Sequence, residues 1–220
     1  MTPNLSSLPP LQAAIIDLDG TMIDTIGDFA VALDAVLGEL ALPSVPRAFI
    51  ELTVGKGSEH LIRSTLAHVG GDAALYERAW ALYQQHYEAI NGQHSVVYPG
   101  VEAGLRQLQA RGLRLACLTN KPTAFAAPLL RMKGLSGYFS AVYGGDAFER
   151  KKPDPLPLLK TCEALGSAPA STLMVGDSSN DARAARAAGC PVVLVSYGYN
   201  HGEPVSGVDT DGVVDRLDQL

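Results

Sequence analysis

No lysine or arginine occurs before Arg47. The same stretch holds Asp17, Asp19, Asp24, Asp28, Asp34 and Glu39, so six negative charges stand there unopposed. From Arg47 onward 17 acidic residues meet 17 basic ones, and the net charge of −6 arises wholly in the N-terminal fifth. A chain without a basic surplus or stripe is not a general nucleic-acid binder. The lack of positive charge between Met1 and Pro10 also removes the basic region that a secretory signal needs. No apolar run approaches the roughly 18–20 residues that span a bilayer. Repeats, low-complexity segments and coiled-coil heptads are absent too. Cysteine is scarce: Cys117, Cys162 and Cys190 are scattered, odd in number and without a Cys-x-x-Cys pair. Such a set predicts reduced core residues rather than a disulfide framework. These absences together predict a soluble, cytoplasmic protein that binds neither membrane nor nucleic acid. A monomer and a homodimer are both open.

What is present is a globular composition, 47% apolar and 18% charged over 220 residues. Short apolar runs at 13–18, 113–118, 139–143, 172–175 and 191–196 each end in acids, glycine or polar residues, as buried strands do. Helical patterns lie between them. Val101, Leu105 and Leu108 share one face before Gly112, and segments 124–133, 157–165 and 181–188 each stop at a glycine. Alternating strands and helices predict an α/β fold, a Rossmann-like and mainly parallel sheet covered by helices. Residues 25–96 break the alternation. Ile26, Phe29, Leu33, Val36, Leu37 and Leu40 repeat with a period near 3.6, and similar patterns follow Leu61 and Leu75. About 70 residues is far too long for a loop between strand and helix. The expected organisation is an α/β core of residues 1–24 and 97–220, with an all-helical module of residues 25–96 inserted after the first strand.

Asp17-Leu18-Asp19-Gly20-Thr21 places two carboxylates where the first strand leaves the sheet. In extended backbone, residues i and i+2 point the same way, so both acids can address one site. Clustered carboxylates repel unless a cation or a shared proton compensates, which suggests a metal, acid–base chemistry or both. An acid capping the next helix is the plainer reading. Ligands of open α/β sheets sit outside the carboxyl ends of the strands. The other strand ends carry Thr119-Asn120 and Gly176-Asp177-Ser178-Ser179-Asn180-Asp181. Lys152, with Lys151 as its rival, precedes Pro153 just before a helix. Each has a bland account: a strand-end hydroxyl, a solvated basic run, a helix cap. Convergence of four carboxylates, a hydroxyl and a lysine on one rim is the alternative.

These four motifs, in this order, resemble those of the haloacid dehalogenase-like hydrolase superfamily, whose members are mostly Mg²⁺-dependent phosphatases. The resemblance spans nearly the whole chain and implies that the helical insertion is a cap domain. It implies Asp17 as the nucleophile that forms an aspartyl phosphate, and Asp19 as the acid and base. Mg²⁺ would be held by the Asp17 carboxylate, the Asp19 main-chain carbonyl and the Asp177 carboxylate, with Asp181 behind them. Thr119, Asn120 and Lys152 would contact the phosphoryl group.

Dehalogenases and phosphonoacetaldehyde hydrolases of the superfamily lack the second acid, so Asp19 argues against both. Thr53-Val54-Gly55-Lys56-Gly57 looks like the specificity loop of bacterial phosphoglycolate phosphatases, and residues 197–203 resemble the stretch after their last core strand. His201 departs from that pattern, where tyrosine is commoner. The resemblance therefore implies hydrolysis of 2-phosphoglycolate, with Lys56 as a contact to the substrate anion or simply an exposed loop lysine. A sugar phosphate of cell-wall recycling, a β-phosphoglucomutase-like transfer to a second hydroxyl, and a non-enzymatic phosphate binder are the alternatives. His60, His68, His86 and His94 fall in the helical insertion, either on solvated faces or as a second metal site.

Overall fold

The computed structural model describes residues 10–220. The reading of the N-terminal residues as lacking a secretory signal concerns positions 1–9, outside those described, and Pro10. The first apolar run forms β1 (Ala13–Ile16), fully buried along its length. A two-residue strand, β2 (Ile23–Asp24), follows the acidic turn. Four helices come next: α1 (Ile26–Glu39), α2 (Arg47–Thr53), α3 (Ser58–His68) and α4 (Tyr76–Ile90). The chain returns through β3 (Val96–Val97), which pairs antiparallel with β2.

Alternation then resumes with α5 (Val101–Ala110), β4 (Arg114–Leu118), α6 (Thr123–Met132) and β5 (Ala141–Tyr143). It continues with α7 (Leu156–Leu165), β6 (Thr172–Gly176), α8 (Ser179–Ala188), β7 (Val192–Val195) and β8 (Gly212–Val214). The main sheet has the order β5-β4-β1-β6-β7-β8, and every pairing in it is parallel. The expected α/β fold is present. β8 and the β2–β3 ribbon are additions to the strands expected.

Helices cover both faces, so successive residues of β1 enter different cores. Ile16 packs with Leu105, Leu115 and Leu129, while Ile15 packs with Leu158, Met174 and Leu194. Strands buried on both faces read as unbroken apolar runs, which is why these were visible as sequence. Helices α1 to α4 share a separate core of Phe29, Leu33, Leu61, Tyr83 and Tyr87, which Phe125 and Tyr199 join from the sheet side. All three cysteines are buried and unbridged. No helix among the described residues is long and apolar enough to cross a membrane.

Registry sets the site. Ile16 lies level with Cys117 on β4 and with Val175 on β6. The three central strands therefore end together, and Asp17, Thr119 and Asp177 emerge side by side. The chain winds to β4 and β5 on one side of β1 and to β6, β7 and β8 on the other, the topology that opens a crevice at strand ends.

Candidate active site

A cavity at this rim is lined by Asp17, Asp19, Thr119, Lys152, Asp177 and Asp181, among others. Gly55, Gly57 and Phe29 of the helical module line it from the opposite side. The Asp17, Asp177 and Asp181 carboxylates each offer an oxygen within 4.8 Å of the others, and all three residues are buried. Lys152 stands among them. Its ammonium donates to Asp17 Oδ1, Asp181 Oδ1 and the Leu118 carbonyl, each at 2.8 Å, so all three donors have oxygen partners.

The close carboxylates perturb one another. Burial pushes the Asp17 carboxyl from its ordinary 3.8 up to about 7; Lys152 opposes the shift, and the Asp181 and Asp19 charges add to it. Asp177 is raised well above the ordinary range, first by burial and then by Asp181 and Asp17. Burial acts against the charge of Lys152, but Asp17 and Asp181 hold its ammonium above its ordinary value.

Local structure explains these placements. Gly20 has φ +81°, and a side chain there would collide with the Asp177 carboxylate and Tyr199. The turn after β1 thus needs glycine for both its backbone conformation and its closeness to Asp177. Asp181 does two things: Oδ2 accepts from the Asp177 and Ser178 amides at the start of α8, and Oδ1 meets Lys152. The capping read for the other acids thus falls to Asp181, and to one of its oxygens only. Asp177 is itself held by the Tyr199 amide and the Thr21 hydroxyl.

Asp19 points a different way from the triad. Its Oδ1 accepts from Thr25 Oγ1 and from Lys121 Nζ, both at 2.8 Å. Lys121 is buried, lines the cavity and was missed by reasoning from sequence. Its only signal was adjacency to Thr119-Asn120. Tyr199, which also lines the cavity, was missed as well. Asn120 bridges two loops, donating to the Lys152 carbonyl at 2.8 Å and to the Gly55 carbonyl at 2.9 Å. Thr119 Oγ1 accepts from the Lys121 amide.

Other expected residues lie elsewhere. Lys56 is exposed and does not line the cavity, although its neighbours Gly55 and Gly57 do. Lys151 points outward to Glu59 at 3.3 Å. The histidines of the helical module are dispersed: His86 pairs with Glu39, His60 meets Ser64 and His68 lies against Phe49.

The donor set suits a hard divalent cation. Every candidate ligand is an oxygen. Counting Asp17, Asp19, Asp177 and Asp181 in their charged forms against Lys121 and Lys152 leaves two negative charges for a cation to offset, and the neighbouring carboxylates add to the rise that burial imposes on Asp17 and Asp177.

A family model for haloacid dehalogenase-like hydrolases matches residues 14–195. A phosphoglycolate phosphatase of Thiobacillus denitrificans is 45% identical over 217 residues, covering 97% of this chain and 96% of that protein. One of Nitrosospira multiformis is 47% identical over 211 residues, covering 94% and 93%. The crystal structure of a predicted phosphoglycolate phosphatase from Haemophilus somnus matches with a TM-score of 0.90 at 30% identity, covering 94% of this chain and 95% of that one. A family match over most of the chain, together with relatives that share nearly half of its residues along almost their full length, shows that the chain belongs to the haloacid dehalogenase-like hydrolase family.

Proposed function

We propose that the protein is a Mg²⁺-dependent phosphomonoesterase that hydrolyses 2-phosphoglycolate to glycolate and phosphate through Asp17. The observation that carries this reading is Lys152, whose three donors are all engaged beside the acidic triad. Lys152 occupies Oδ1 of Asp17, so Oδ2 is the oxygen without a hydrogen-bond partner among the described residues. That oxygen forms the bond to phosphorus as the bond from phosphorus to the ester oxygen breaks. Asp19 hands its proton to the departing oxygen, and later takes one from the water that displaces Asp17 from phosphorus. Thr119 and Asn120 would contact the phosphoryl group, and Asn120 donates to the Lys152 carbonyl, which supports the placement of that lysine.

Asp17, Asp177 and the Asp19 carbonyl would hold the Mg²⁺, which supplies charge compensation for the phosphoryl oxygens when bound. Asp181 supports them through Lys152 and the Asp177 amide. The helices of residues 25–96 serve as a cap. Because Gly55, Gly57, Phe29 and Leu61 of these helices and their loops line the cavity, they would move to admit substrate and then exclude bulk water. Unbridged buried cysteines and the absence of a membrane-length helix among the described residues support a cytoplasmic setting.

Phosphate release with Mg²⁺ tests this reading. Asp17→Asn is expected to lower kcat on the order of 10⁴- to 10⁶-fold, the range over which damage to a covalent nucleophile's machinery lowers turnover. Equal rates for variant and wild type would sink it. On a metabolite panel, kcat/KM for 2-phosphoglycolate should exceed that for sugar phosphates by at least about tenfold, roughly 1.4 kcal/mol in the transition state. The reverse order would overturn the choice of substrate.

A further inference from the structure

Two lysines are buried at the rim, and they differ in one respect. Lys152 has an oxygen acceptor for each of its three N–H groups. Lys121 has one acceptor among the described residues, Asp19 Oδ1, and it shares that oxygen with Thr25. The rest of its ammonium lies over aromatic faces, 4.4 Å from the centre of Phe29 and 4.9 Å from that of Tyr87. Ring faces attract a cation but do not replace anionic oxygens as hydrogen-bond acceptors. A buried charge with unfilled donors is costly unless a partner arrives. Lys121 is 4% exposed and lines the catalytic cavity, so an anionic oxygen on a ligand held in that cavity can reach it.

We propose that Lys121 reads a carboxylate carried on the leaving group of the substrate. The inference rests on the phosphatase reading above, in which Asp19 protonates the ester oxygen. A group that both hydrogen-bonds Asp19 and lines the cavity stands next to what is attached to that oxygen. In 2-phosphoglycolate the carboxylate sits on the carbon that bears the ester oxygen, so its reader must be an immediate neighbour of Asp19. Lys121 meets that condition at 2.8 Å, whereas Lys56 is exposed and lies outside the cavity. Phe29 and Leu61 line the same cavity. The lysine comes from the turn between β4 and α6, while Phe29 and Tyr87 come from α1 and α4. The subsite is therefore complete only when the helical module is seated.

The test compares wild type with Lys121→Met on 2-phosphoglycolate and on an aryl phosphate, whose leaving group has no carboxylate. The ratio of the two kcat/KM values is expected to fall at least tenfold, mainly through a raised KM for 2-phosphoglycolate. Lys121→Arg, which keeps the charge, should regain part of it. Equal losses on both esters would overturn the proposal and leave Lys121 only a support for Asp19. So would an unchanged ratio. Binding supplies a readout independent of turnover. In an Asp17→Asn background, Lys121→Met should weaken 2-phosphoglycolate at least tenfold while changing inorganic phosphate less than threefold. Parallel changes would again refute it. If Lys121→Met does not fold, Lys121→Arg and Lys121→Gln carry the same comparison, with the larger loss of discrimination expected in Gln. A wild type that prefers a different carboxylate-bearing ester refutes the substrate named above, and the same ratios then judge Lys121 on that ester. A wild type that hydrolyses phosphate esters but neither turns over nor binds carboxylate-bearing ones overturns both.

Discussion

Tyr199 joins three parts of the molecule. Its amide donates to Asp177, its hydroxyl donates to Asp24, and the same hydroxyl accepts from the Thr25 amide at 3.0 Å. The phenol therefore ties the loop after β7 to the point where the helical module begins. Tyr199→Phe keeps the ring and removes the hydroxyl, which strands a fully buried Thr25 amide. An unsatisfied buried donor costs about 1–3 kcal/mol. For a chain of this size that corresponds to a Tm lower by roughly 2–12 °C. Calorimetry of the two proteins would check this, and an unchanged Tm would show that water replaces the phenol.

Among elements, α5 and the C-terminal turn offer a contest of opposing effects. Gly104 lies inside α5, where alanine is favoured over glycine by about 1 kcal/mol. A methyl group there would meet the Leu217 carbonyl carbon at 2.7 Å and the Asp218 nitrogen at 3.0 Å, both backbone atoms. Overpacking of this kind costs about 1–3 kcal/mol. Gly104→Ala is thus expected to destabilise despite the better helix former. Gly38→Ala in α1, with nothing within 4 Å, should stabilise by about 0.5–1 kcal/mol. Urea titration of the pair reads both signs, and a stabilised Gly104→Ala would mean that the C-terminal turn yields.

Legibility followed the elements too. β1, β4, β6 and β7 were readable because burial on both faces leaves unbroken apolar runs. β8 and the β2–β3 ribbon have two or three residues each, too few for any period, and exist only because partners lie alongside. At the site, Asp17, Asp19 and Asp177 announce themselves by motif. Lys121 does not, since a lysine before Pro122 at a helix start reads as solvated. Only contacts from Asp19, Phe29 and Tyr87, all distant in sequence, make it a buried ion.

At the scale of the whole molecule, the acidic excess gains a location. Asp17 and Asp177 hold their protons to higher pH when folded than when unfolded. Between about pH 4 and pH 7 the native state therefore binds more protons, and stability of the metal-free protein falls as pH rises. A divalent cation binds the ionised carboxylates of the native state and opposes that fall. The increase in Tm on exchanging EDTA for excess Mg²⁺ is expected to be larger at pH 7.5 than at pH 5. Equal or reversed increments in a melting series would contradict the metal site.

The short ribbon of Ile23–Asp24 against Val96–Val97 carries one more consequence. Four helices hang from the sheet by two covalent tethers, and the ribbon laces those tethers together at their root. Two free tethers would let the helices twist and translate independently of the rim. Laced ones would favour a swing about one line, and such a swing would bring Gly55 back to Asn120, whose side-chain amide donates to the Gly55 carbonyl. Two residue pairs thus give the rim a door rather than a leash.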